Sequence, residues 1–122
     1  MANRNQVLGQ VRVKVDGEVL ETNGTSTLEL GGPVRTAVRG DYQAGAFSET
    51  TQESKVETNL LVKRGTKLRP LSAIDNATLV FEADTGQTFI IRGAYVADVI
   101  SLTTSDGTAQ VVFQGPPAEE VR

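Results

Sequence analysis

Residues 77–115 read ATLVFEADTGQTFIIRGAYVADVISLTTSDGTAQVVFQG. Apolar and polar residues alternate through this stretch with the period of two that a half-buried strand shows. Leu79, Phe81 and Ala83 share one face of a strand over 77–83. Asp84-Thr85-Gly86 turns the chain, and Phe89 and Ile91 point inward from a strand over 88–92. Gly93 reads as a bulge or kink, because glycine inside a strand pattern marks one. A further strand is expected over 94–102, a turn at Ser105-Asp106-Gly107, and a last strand over 108–114 with Ala109, Val111 and Phe113 on one side. Consecutive short strands joined by turn residues make an antiparallel meander.

The N-terminal half follows the same rule. Val11, Val13 and Val15 face one way and Arg12 and Lys14 the other. Asp16-Gly17 supplies the positive φ angles of a tight hairpin turn, and Val19-Leu20 starts the return strand. Asn23-Gly24 reads as a second turn before a short strand over 27–30. Gly31-Gly32-Pro33 interrupts, since proline cannot donate to a ladder. Val34, Thr36 and Val38 then alternate with Arg35, Ala37 and Arg39. Over 55–63, Val56, Thr58, Leu60 and Val62 oppose Lys55, Glu57, Asn59 and Lys63. One short helix is expected over 70–75, opened by Pro70 with Leu71 and Ile74 on one face. The expectation is a single all-β domain over 1–122, an antiparallel sandwich or partly closed barrel with one short helix. Residues 1–8 read as a flexible arm and 116–122 as a flexible tail after Gly115-Pro116-Pro117.

Between these strands lies RGDYQAGAFSETTQES, residues 39–54. It is polar, and rich in Gly, Ser, Thr and Glu. It reads as a long loop over 40–54, and loops of this length are functional more often than incidental. Its hydroxyls suit hydrogen bonding to a neighbour's strand edge.

Composition narrows the chemistry. The chain has no histidine and no cysteine, which removes the usual general base and the ligands of zinc. Asp84 and Asp106 sit in turn sequences, where Asp serves local hydrogen bonding. Asp98 falls inside an expected strand. No phosphate-binding glycine loop or nucleophile motif is present. The net charge is −3, with no basic stripe of the kind that grips a nucleic-acid backbone. Lys63, Arg64, Lys67 and Arg69 form a basic cluster that suits a solvated connection or a subunit contact. Arg39-Gly40-Asp41 matches an adhesion tripeptide, a match common by chance. The N-terminal residues show no apolar core of a signal peptide. Aromatic residues make up 5% of the chain, so Phe81, Phe89 and Phe113 are its few large core pieces.

The order of these features resembles a known family. VKVDG, GGPVRTAVRGDYQAGAFSET, a strand opening near KVET, a short helix, then FEADTGQTFIIRGAYV and VVFQG are similar to the tail tube proteins of contractile-tailed bacteriophages, the Mu-like group above all. The resemblance implies a small β-sandwich or barrel whose copies close into hexameric rings. Those rings stack into a tube inside a sheath, with DNA passing through the lumen without specific binding. Tail sheath, baseplate or tail initiator, and tape measure proteins are the implied partners. The virion tail is the implied location, reached from the host cytoplasm. No catalytic, cofactor or metal residue is implied.

By that analogy the 40–54 loop reaches a neighbouring subunit or ring. Gly40 and Gly45 would let it bend, Tyr42 and Phe47 would anchor it, and Asp41, Glu49 and Thr51 would line the contact. Arg12, Lys14, Lys55, Glu57 and Asn59 are candidates for a lumen or interface, a pattern that outer solvent produces equally. Two alternatives stay open: a type VI secretion or contractile bacteriocin tube, and a monomeric β-sandwich that binds a ligand.

Overall fold

In a computed structural model, which describes residues 4–121, strand β1 (Val11–Val15) turns through Asp16-Gly17 into β2 (Glu18–Leu20). Asp16 and Gly17 have φ of 49° and 88°, the left-handed pair that a two-residue hairpin turn requires. The chain continues through β3 (Thr22–Glu29), β4 (Gly32–Val38), β5 (Ala46–Gln52) and β6 (Ser54–Leu61). After α1 (Arg69–Ser72) come β7 (Ala77–Ala83), β8 (Thr88–Val96), β9 (Ser101–Thr103), β10 (Thr108–Gly115) and β11 (Glu119–Glu120).

Nine strands form one antiparallel sheet in the order β2-β1-β7-β8-β10-β6-β3, with β11 on β8 and β9 on β10. The sheet bends at β8. The front of β8 pairs with β7, while Tyr95 and Val96 pair with Gln114 and Phe113 of β10. Two half-sheets thus share one strand and fold over one core. Val13, Val15, Leu79, Phe81 and Ile91 come from the first half, and Val56, Leu60, Val111 and Phe113 from the second. Phe89 packs against the edge of that cluster. The sheet stays open, because β2 and β3 at its ends do not pair with each other.

Gly93 is a bulge. Thr78 faces Arg92 while Ala77 faces Ala94, so Gly93 is the extra residue, and its φ of 79° suits glycine. Asn23-Gly24 does not reverse the chain. It forms a bulge inside β3, where pairing jumps from Thr22↔Leu60 to Ser26↔Thr58. Asn23 Oδ1 accepts a bond from the Thr25 N–H at 3.0 Å, a local substitute for the missing ladder bond.

Three further expectations are corrected. The strand over 94–102 breaks after Val96, because Ala97 N–H turns to the Val112 carbonyl at 2.9 Å; Asp98 therefore lies in an exposed connection. The helix expected over 70–75 is one turn, 69–72, continued by turn bonds that carry Leu71 and Ile74 onto the core. The tail expected to be flexible over 116–122 is docked as far as it is described. Ala118 N–H donates to the Leu30 carbonyl at 2.8 Å, and Glu119 and Glu120 pair with Ile90 and Phe89. Arg92 forms an ion pair with Glu119. The physical cause is the bend at β8, which leaves the edge beside Phe89 and Ile90 without β10; the C-terminal strand fills it. For the arm expected over 1–8, residues 1–3 lie outside the described residues, as does residue 122. Residues 4–8 are exposed.

Candidate assembly surface

The reading of 40–54 as one long loop is also corrected. Its second half is β5, paired with β4 from Gly32↔Gln52 to Val38↔Ala46, and only residues 39–45 form the connecting loop. Apolar alternation could not reveal β5, because AFSETTQ carries polar residues on both faces. The strand forms through backbone pairing and the extended preference of Thr50 and Thr51.

β4 and β5 make a separate two-stranded sheet. It continues the β3–β6 pair beyond a break, since Glu29↔Lys55 is the last pair on one side and Gly32↔Gln52 the first on the other. At the break, Gly31 and Gly32 have φ of 75° and 103°. A Cβ on Gly31 would stand 2.7 Å from the Ser54 nitrogen and 2.8 Å from the Gln52 carbonyl oxygen, so the two chains cross too closely there for any side chain. Ser54 is fully buried beside it, and its hydroxyl donates to the carbonyls of Pro116 at 2.7 Å and Gly115 at 3.2 Å. The hairpin's root is thus tied to the end of β10 and the C-terminal segment.

Beyond that root almost every residue is exposed, on both faces. One face carries Arg35 and Ala37 opposite Glu49 and Phe47, with Thr51 nearer the root. Arg35 Nε donates to Glu49 Oε1 at 3.0 Å, and Arg35 Cζ lies 5.6 Å from the Phe47 ring centre, an ion pair and a cation–π contact sharing one guanidinium. The other face carries Val34 and Val38, which are 43% and 51% exposed. In the loop, the Gly40 N–H donates to the Gln43 carbonyl at 3.1 Å. Gly45 has φ of 109°, Asp41 is exposed, and Tyr42 is fully exposed. Phe47, Glu49 and Thr51 therefore share one face, with Gly40, Asp41, Tyr42 and Gly45 in the tip. Arg35 was not singled out from sequence; its role depends on cross-strand register, which needs the loop length.

The polar candidates divide into two groups. Arg12 and Lys14 face outward from β1 across from Glu82 and Val80 of β7. Lys14 Nζ meets Glu82 Oε1 at 2.7 Å, and this hydrogen bond is the main cause holding the Glu82 carboxyl below its ordinary value. Lys55, Glu57 and Asn59 face outward from β6, between Glu29 and Thr27 of β3 and Gln114, Val112 and Gln110 of β10. Lys55 Nζ meets Glu57 Oε1 at 3.0 Å, and the Glu57 hydrogen bond raises the Lys55 pKa above its ordinary value. Because the inner faces of both half-sheets share one core, the two groups look out on opposite sides. No cluster of metal-ligating side chains occurs among the described residues.

A strand pair exposed on both faces thus projects from a sandwich whose outer faces carry Arg12, Lys14, Lys55, Glu57 and Asn59. The phage tail tube protein family matches residues 4–120. The chain belongs to that family. It is 32% identical over 102 residues to the Mu-like prophage FluMu tail tube protein of Haemophilus influenzae, covering 84% of this chain and 85% of that one. The tail tube protein's fold is also that of contractile injection systems. The sheath/tube terminator of an extracellular contractile injection system in the extended state matches with a TM-score of 0.73 at 10% identity, over 100% of both chains. A subunit of the sheath-tube complex of such a system matches with a TM-score of 0.67 at 11% identity, over 97% of this chain and 92% of that one. Its role is that of a structural tail tube component, read at the family level.

Proposed function

We propose that this tail tube protein is the repeating subunit of a contractile phage tail. Copies close into hexameric rings, the rings stack into a tube within the virion tail, and DNA passes through the lumen. The observation that carries this reading is the β4–β5 hairpin, with apolar side chains exposed on both faces. An isolated two-stranded hairpin is marginal in water, and Val34, Val38, Tyr42 and Phe47 gain from burial only against another chain. The edge of β3 away from β6 has no strand partner among the described residues, an edge that ring neighbours would cover.

The outer face of β3, β6 and β10 suits a lumen. It presents Thr27, Glu29, Glu57, Asn59, Gln110 and Gln114, and its one lysine among these positions, Lys55, is neutralised by Glu57. A surface of that kind offers the DNA backbone no row of cations to bind. Arg12 and Lys14, on the opposite side, then belong to the outside or to a subunit contact. Sheath protein, a baseplate or tail initiator, and a tape measure protein are the partners of this role; the structural neighbours come from sheath-tube assemblies, which supports the first. Assembly takes place in the host cytoplasm. A tube that secretes protein, as in type VI or bacteriocin particles, is the second reading, favoured by the fold likeness to injection systems; the 32% identity to a Mu-like prophage protein favours the phage. Electron microscopy of the purified chain carrying a deletion of 33–51 closed by a two-residue turn tests the role of the hairpin. Folded protein without tubes is expected, and normal tubes would refute that role.

A further inference from the structure

The hairpin leaves the body beyond Ser54, the first residue of β6. Leu60 and Leu61, at the far end of that strand, open into a groove of about 460 Å³. Its walls are Val15, Val19, Leu20, Leu61, Leu68 and Leu71, from β1, β2, β6 and the α1 region. Val19 is 54% and Leu61 37% exposed, so apolar surface faces water there. Ser54 and Leu61 stand seven steps apart in β6, which at ~3.3 Å each separates hairpin root from groove by about 23 Å. One chain thus carries a protruding tip at one end of β6 and a recess at the other.

We propose that the groove receives the hairpin tip of the next copy of this chain, with Tyr42 as its anchor. The proposal rests on the tube reading and names the surface that completes it. A contact between two different surfaces repeats head to tail, and here the tip and recess lie at opposite ends of a single strand, the arrangement needed for growth along one axis. Charge agrees. Arg39 and Asp41 precede Tyr42 in the tip, and Glu18 and Lys67 line the groove. None of these four side chains belongs to an ion pair among the described residues. Docking would pair Arg39 with Glu18 and Asp41 with Lys67. The second groove, between α1 and Ala97–Leu102, also carries one cation and one anion, Arg69 and Asp98, but no residue of β6 lines it.

The chain has no cysteine, so introduced thiols report contacts cleanly. Tyr42→Cys protein is mixed with Val19→Cys or Leu61→Cys protein, assembled, and oxidised with copper phenanthroline. A disulfide needs Cα atoms within roughly 7 Å. The expected result is dimer on a non-reducing gel from assembled tubes, and none when Val99→Cys replaces the groove variant. Tubes without that dimer, or dimer formed with Val99→Cys instead, overturn the proposal and leave the tube reading intact. Wild-type protein that makes no tubes, even with tail-initiator complex, overturns both. Should the cysteine variants fail to assemble, Val19→Glu decides: its half-exposed site tolerates the charge in the monomer. At least a tenfold rise in the concentration needed for tube growth is expected, and unchanged growth overturns the proposal.

Discussion

Ser54 is a small hydroxyl residue with no access to water, and its two accepting carbonyls belong to the chain's last segment. Removing the hydroxyl leaves those carbonyls short of a donor in a dry site. Ser54→Ala should lower stability by about 1–3 kcal/mol, read as a fall in Tm on the order of 4 °C per kcal/mol. Gly31, beside it, should tolerate no substitution. Gly31→Ala combines a positive φ with backbone atoms inside 3 Å of the new Cβ, and a loss of about 1–3 kcal/mol is expected from denaturant unfolding. Glu82 sets a pH dependence. Lys14 holds its carboxyl below the ordinary 4.5, so the unfolded chain takes up the proton first as pH falls. The pair's contribution is therefore complete above 4.5 and is lost as pH drops through the lower folded value. Wild type should lose Tm more steeply than Glu82→Gln below pH 4.5, as followed by circular dichroism.

At the scale of elements, legibility followed burial. Strands with one face in the core declared themselves: β1, β6 and β7 alternate in sequence because Val13, Val56 and Leu79 are buried while their neighbours are not. Asp16-Gly17 and Gly93 were legible because only special backbone angles explain such residues there. β5 was hidden, since a strand buried on neither face has no reason to alternate. Phe47, Glu49 and Thr51 were named only through the family analogy; the pairing with β4 is what puts them on one face. The C-terminal strand was hidden for another reason: Pro116-Pro117 ends β10, and nothing local announces that the bend at β8 leaves an edge vacant. The hairpin is the element with most to gain from a partner. Arg35→Ala removes the guanidinium shared by Glu49 and Phe47. Because that pair is exposed, monomer stability should change by less than about 1 kcal/mol, while tube growth monitored by light scattering should weaken clearly. A large loss of monomer stability would mean that the hairpin belongs to the body rather than to the contact.

At the scale of the whole molecule, antiparallel β architecture with a single short helix was readable from turn spacing alone, whereas the sharing of β8 between two half-sheets was not. That sharing is a long-range matter: β8 pairs with β7 and β10 according to where the chain has room, and residue periodicity is blind to it. The same limit applied to the polar candidates. Arg12 and Lys14 look identical in pattern to Lys55 and Glu57, yet the fold sends them to opposite sides. Once placed, they separate a neutralised face on β3, β6 and β10 from a more basic one on β1. The central claim is that this subunit exists to be joined to copies of itself. Negative-stain electron microscopy of the purified full chain, across a concentration series and with tail-initiator complex added, tests it most directly. The account predicts hollow tubes of stacked rings with six-fold symmetry; a strict monomer under every one of those conditions would contradict it.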